Sequence, residues 1–380
     1  MRILVMGYIV RGPLGGMAWH HLQYVLGLKE MGHEVLFLED SDDYPSCYNP
    51  ENFNVTTDPV YGLAFLDGFL TRFELQDLWA YYDSHTSRFY GWSEKKVKEF
   101  CASADVAINL SGINPLREWW QNIPCRLLID TDPVFTQIKH LTDAKQMSFA
   151  QAHTHFASFG ENFGKKGCLI PEDGFNWLPT RQPVCLHAWK VAELQPQRKW
   201  TTVMQWDSYK TGEYKGEKFG MKSASFVEYI SLPSLAAPDT FELALGSQSA
   251  PRNNLRALGW TIVDPVTKTK TPEDYQRYLA ESKGEWTVAK QGYVISNSGW
   301  FSERTLNYMA SGKPVVVQDT GFSAFLPIGE GLLPFTNIEE AVVQLKKANT
   351  DYATHAKAAR KFVEEHFEAG AVLQALLSQI

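Results

Sequence analysis

The chain has 380 residues, 44% of them hydrophobic and 21% charged, with a net charge of −7. That length suits two domains, each large enough for its own core, and the acidic balance argues against a polyanion, so no nucleic-acid partner is expected. Five cysteines, at 47, 101, 125, 168 and 185, include no C-x-x-C pair. This predicts reduced thiols in a cytoplasmic protein, with neither a disulfide framework nor a zinc site. The apolar start "MRILVMGYIV" is interrupted at once by Arg11 and Gly12-Pro13, as in a buried first strand rather than a signal peptide. No run approaches the ~20 apolar residues of a membrane span.

Residues 2–6 predict a strand, "GYIVRGPLGG" a glycine-rich loop, Met17 to Met31 a helix stopped by Gly32, and "EVLFLE" a second strand. Strand, loop, helix and strand at this spacing form a βαβ unit and hence part of a parallel sheet. Further strands are expected at 105–110, 125–130 and 155–160, while 42–100 carries no clear pattern. Prolines and an irregular polar stretch at 176–199 mark a linker. A second alternation follows: strand "WTTVMQW", helix "SASFVEYISLP", strands "TFELALG" and "WTIVDP", helix "PEDYQRYLAES", short strand "GYVISNS", then "SGWFSERTLNYMASGKPVVVQDTGF" and a helical C-terminus. Two doubly wound Rossmann-like α/β domains therefore face a central cleft. In such sheets ligands bind beyond the carboxyl ends of the strands.

Three segments carry candidate chemistry. In the first loop Gly15 and Gly16 open a helix whose free amides suit a phosphate or a developing negative charge. His20 or His21, in its first turns, would take a proton from a hydroxyl acceptor. Glu39 and Asp40 end the second strand where a dehydrogenase would hold a ribose, although G-x-G-x-x-G is absent. Asp130 and Asp132 end a buried strand in "LLIDTDPVF"; Asp132 is expected to line the cleft or orient a histidine, not to ligate a metal. The third segment is a helix with Ser302 as its N-cap. Arg304 lies in its first turn, against the helix dipole unless an anion compensates, so a phosphate is expected there. Asn307, one turn on, would reach a ribose hydroxyl. Asp319, Thr320 and Gly321 in the following turn would meet a polyol.

At these residues the sequence resembles the nucleotide-sugar glycosyltransferases of the GT-B fold. "SGWFSERTLNYMASGKPVV" is similar to that group's donor-site segment, with Asn307 where the family has a ribose-binding glutamate and Ser298 near where it often has a histidine. The resemblance implies that Val263 and Asp264 in "WTIVDP" face the nucleobase. It implies residues 1–190 as an acceptor-binding domain, 191–360 as a nucleotide-sugar-binding domain, and 361–380 as a helix returning to the first domain. The expected activity is transfer of a sugar, of hexosyltransferase type, from a nucleoside-diphosphate sugar to a small-molecule or glycan hydroxyl. That sugar nucleotide is a co-substrate; no other cofactor and no metal are expected. Alternatives are an NDP-sugar 2-epimerase of the same fold and a non-catalytic nucleotide-sugar binder. Whether the reaction inverts or retains is left open by the sequence.

Overall fold

The computed structural model describes residues 1–380. In chain order the strands are β1 (Arg2–Met6), β2 (Glu34–Asp40), β3 (Cys47–Asn49), β4 (Asn54–Thr56), β5 (Trp79–Asp83), β6 (Arg88–Gly91), β7 (Val106–Leu110), β8 (Cys125–Asp130), β9 (His155–Ser158) and β10 (Trp177–Pro179). There follow β11 (Trp200–Gln205), β12 (Gly212–Tyr214), β13 (Glu217–Phe219), β14 (Phe241–Gly246), β15 (Thr261–Val263), β16 (Gly284–Thr287), β17 (Val315–Gln318) and β18 (Leu332–Phe335). One sheet has the order β10-β9-β8-β7-β1-β2-β5-β6, the other β15-β14-β11-β16-β17-β18. All neighbours in both sheets are parallel except β6, which runs antiparallel to β5. Helices cover both faces, which is why β1, β7, β16 and β17 read as nearly continuous buried runs.

Strand order reverses at β1 in the first sheet and at β11 in the second. The loops after these strands and their neighbours face each other, which sets the ligand crevice. The unpatterned 42–100 region contains the β3–β4 hairpin, the helix Val60–Thr71 and the edge strands β5 and β6.

Two elements differ from the sequence reading. The segment read as a strand, "GYVISNS", begins instead within a short helix, Gln291–Ile295, and the strand is the preceding "GEWT". Its β-branched Val294 and Ile295 favour a strand locally, but Gly292 packs under the Phe135 ring, where a Cβ would stand 2.6 Å from Cζ. Tertiary packing overrides propensity there. The "SASFVEYISLP" helix is broken into Lys222–Phe226, a 3-10 turn and Leu232–Leu235, the last opening on Ser231 and Pro233.

One hydrophobic cluster spans both sheets, while a second belongs to the second sheet alone. In the first, Trp19 packs against Trp189 at 4.8 Å between ring centroids with the rings tilted, and Trp189 meets Tyr275 at 6.4 Å. The last helix, Ala369–Leu377, lies on the helix Gly15–Glu30, where a Cβ on Gly27 would stand 2.6 Å from Leu373 Cδ1. On one side of the crevice Trp19 Nε1 donates to Pro272 O at 3.2 Å, and Arg72 pairs with Glu273 at 2.7 Å. On the other side Asn162 N donates to Ser298 O at 3.1 Å, and Asn162 Nδ2 donates to Asn297 O and Gly321 O.

Candidate functional site

Between the sheets lies a cavity of about 1060 Å³, lined from the first domain by the 14–20 segment, Tyr48, Phe53, Ser111, Thr131 and Asp132. The second domain contributes the carboxyl ends of β11, β14 and β15, together with Lys222, Lys290 and the start of the helix Glu303–Ala310.

That helix start is built without its own cap. Ser302 has the extended backbone of an N-cap residue, yet its side chain accepts no bond from the first turn. Its Oγ is buried without a partner. The first amides of any helix lack internal acceptors, so here the residues that line the cleft carry an unpaired hydroxyl and unpaired N–H groups. Beside them stands Lys222, 8% exposed, at the head of the helix Lys222–Phe226. Burial and the neighbouring Arg304 push its pKa well down, against the pull of Glu285 and Glu303. Its amine makes no hydrogen bond, and an anion in the cavity would favour its charged form.

Arg304 lines this corner, but its compensating anion is internal. Nε donates to Glu285 Oε1 at 2.5 Å and Nη2 to Thr287 Oγ1 at 3.2 Å. Thr305 Oγ1 donates to the other oxygen of Glu285, whose side chain is fully buried. Burial opposes the guanidinium charge, but Glu285 and Glu303 outweigh it and raise its pKa. The residue that answers the helix dipole is therefore Glu285 on β16. Glu303 instead lines the cleft without a hydrogen-bond partner and acts electrostatically on His20.

Asp132 lines the cleft as expected, but it orients no histidine. Its carboxylate accepts from Lys290 Nζ at 2.7 Å and from the hydroxyls of Tyr209 and Tyr293, all in the second domain. Burial would raise its pKa, yet Lys290 and the two phenols reverse this and hold it ionised. It is a bonded anchor across the seam rather than a free base.

His20 and His21 part company. His20 lines the cleft, 7% exposed, with Nδ1 buried and unpartnered; burial lowers its pKa, so it is a neutral imidazole. His21 is wholly buried, its Nδ1 placed 2.8 Å from Met17 O, and does not reach the cleft. Gly15 does not cradle a phosphate: its N–H donates to Lys270 O at 3.1 Å, and a Cβ there would stand 2.3 Å from Thr271 O. Gly16 does line the cleft, beside Tyr275. The loop before them is shaped by Glu39, whose carboxylate accepts the amides of Ile9, Val10 and Arg11 at 2.6, 2.7 and 2.7 Å. With Asp40 paired to Arg117 at 2.9 Å, neither acid is free for a ribose, which removes the support for a dehydrogenase.

Val263 and Asp264 line the cavity, though the Asp264 carboxylate caps the next helix by accepting from Val266 N at 2.8 Å. Asn307 is buried between Gln23 and Tyr275, facing away from the cleft. Asp319, Thr320 and Gly321 also lie outside the main cavity. Asp319 holds Ser323 and the Gly321 amide, and Thr320 donates to Trp300 O. These four side-chain and turn positions are spent on the fold itself. Sequence reasoning missed Lys222, Lys290 and the exposed role of Glu303. A lysine opening the "KSASF" helix was a readable signal. Lys290 was hidden by the mistaken strand.

The fold is GT-B, and residues 247–378 match the family model described as Glycosyl transferase-like. Among solved structures, the chain is similar to an α-glucosyltransferase in complex with UDP, at 11% identity and TM-score 0.61, covering 100% of this chain and 99% of that one. Sucrose-phosphate synthase from Thermosynechococcus elongatus follows with 11% identity, TM-score 0.54 and coverage of 100% and 99%. An α-glucosyltransferase with UDP-glucose and DNA containing an abasic site matches at 11% identity and TM-score 0.60, covering 100% and 98%. No curated protein matches in sequence. The DNA-bound structures correct one expectation. Proteins of this fold do take nucleic acid, and a net charge of −7 describes the whole surface, not one cleft, so it does not exclude such a partner.

Proposed function

We propose that the chain transfers a hexose from a nucleoside-diphosphate sugar to a hydroxyl-bearing acceptor, without a metal. The observation that carries this reading is the corner made by the uncapped helix start, the unpartnered Ser302 Oγ and the unpartnered Lys222. Charge growing on a leaving diphosphate would be met there by fixed donors and an ammonium, with no reorganisation needed during the reaction. Residues 191–360 would bind the donor, residues 1–190 the acceptor, and 361–380 would tie the two together. Neutral His20, facing the corner from the first domain, would accept the acceptor's proton in an inverting reaction, and would shape the pocket in a retaining one. Five free cysteines support a cytoplasmic setting.

A 2-epimerase would need several free acid–base carboxylates. Of the three cleft acids, Asp132 and Asp264 are engaged and only Glu303 is free, which favours transfer. Because the α-glucosyltransferases above are bound to UDP or UDP-glucose, UDP-glucose is the first donor to test. Incubated with it and a panel of other sugar nucleotides, each together with hydroxyl-bearing acceptors, the protein should release the nucleoside diphosphate at a rate unchanged by EDTA. Release that stops with EDTA would refute metal independence, and release from no sugar nucleotide would refute transfer.

A further inference from the structure

Phe53 is 60% exposed at the tip of the β3–β4 hairpin, and Val55 is 56% exposed beside it. The hairpin is nonetheless fastened. Tyr48 N donates to Arg11 O at 3.0 Å, and Glu51 pairs with Lys270 of the second domain at 3.1 Å. Phe53 also has a φ of +59°, a conformation unusual for an aromatic residue and one that a structure retains where something is gained from it. Both rings, Tyr48 and Phe53, line the main cavity.

The edge of the second sheet lines that cavity too. Ile262 and Val263 of β15 and Leu245 of β14 line the same cavity, and Asp264, next along, acts on the Tyr48 phenol. In the order β15-β14-β11-β16, this edge is three strand spacings, about 14 Å, from the β16 strand that carries Glu285 and supports Arg304. That distance is comparable to the reach of an extended nucleoside diphosphate. Aromatic side chains from the first domain and aliphatic ones from the second therefore line one cavity, a combination that suits a flat ring system.

We propose that the β3–β4 hairpin of the first domain closes over the donor's nucleobase, with Tyr48 and Phe53 stacking on it above Ile262 and Val263. The donor is then held by both domains, the diphosphate by the second and the base between the two. This rests on the donor site proposed above, and the test separates the two claims. Calorimetric titrations would compare UDP, GDP and inorganic pyrophosphate on the wild-type chain, Phe53→Ala, Tyr48→Ala and Phe53→Trp. Stacking of a base on an aromatic ring corresponds to about tenfold in affinity. Each alanine variant should weaken the nucleotide that binds wild type by about that factor and leave pyrophosphate unchanged, and Phe53→Trp should keep wild-type affinity. Nucleotide affinity within twofold of wild type in both alanine variants would overturn the proposal. So would an equal loss for pyrophosphate. A wild-type chain that binds pyrophosphate or nothing, but no nucleoside diphosphate, would instead bring down the donor site itself.

Discussion

Arg304 and Lys222 are neighbouring cations with opposite accounts. Arg304 is neutralised from within by Glu285, whose side chain is 0% exposed, while the arginine's own is 11% exposed. Removing one partner of a buried pair strands the other, at a cost of about 3–5 kcal/mol. Arg304→Ala should therefore lower stability by that order in chemical denaturation, even with no ligand present. A change below about 1 kcal/mol would show the pair to be dispensable. The segment "SERTLNY" suggested a phosphate as the anion beside Arg304, whereas in the fold Glu285, 19 residues earlier, takes that place, a contact that exists only once β16 packs beneath the helix. Asn307, Asp319 and Thr320 were misplaced for a related reason. Sequence spacing fixes which turn a polar side chain is on, but not whether the other domain already occupies it, as Asn162 does at Gly321.

At the scale of elements, the parallel sheets and their order of appearance were legible because buried β-branched runs alternate with amphipathic helices. The β3–β4 hairpin was not, since its strands are three residues each and β4 is wholly exposed. The glycine-rich loop was recognised but given the wrong purpose. Gly15 is needed where the first helix meets the backbone of Thr271, with only 2.3 Å available to a Cβ. Gly15→Ala should push the two elements apart and destabilise the chain by about 1–3 kcal/mol, measured by urea unfolding. A variant as stable as wild type would mean that the seam gives way at no cost, contrary to the close approach seen here.

For the whole molecule, two sheets facing a cleft could be two bodies that hinge. The packing of Trp19, Trp189 and Tyr275, with bonds on both sides of the cleft and the Asp132–Lys290 pair across it, joins them in this structure. Domain closure is therefore not required to bring His20 near the diphosphate corner, since both already face one cavity. The two-domain plan was legible in the sequence, but these joining contacts come from residues far apart in the chain.

The central claim is that the corner at Ser302 and Lys222 receives a nucleoside diphosphate, and calorimetric titration of wild type and Lys222→Ala tests it most directly. Wild type should bind at least one of UDP, TDP or GDP with one site per chain. Lys222→Ala should lose about 10- to 100-fold in affinity, as for a hydrogen bond to a charged group, while its unliganded melting temperature stays equal or rises, because the side chain makes no hydrogen bond that the variant would lose. Equal affinity in the two proteins, or no nucleoside diphosphate bound by wild type, would contradict the account.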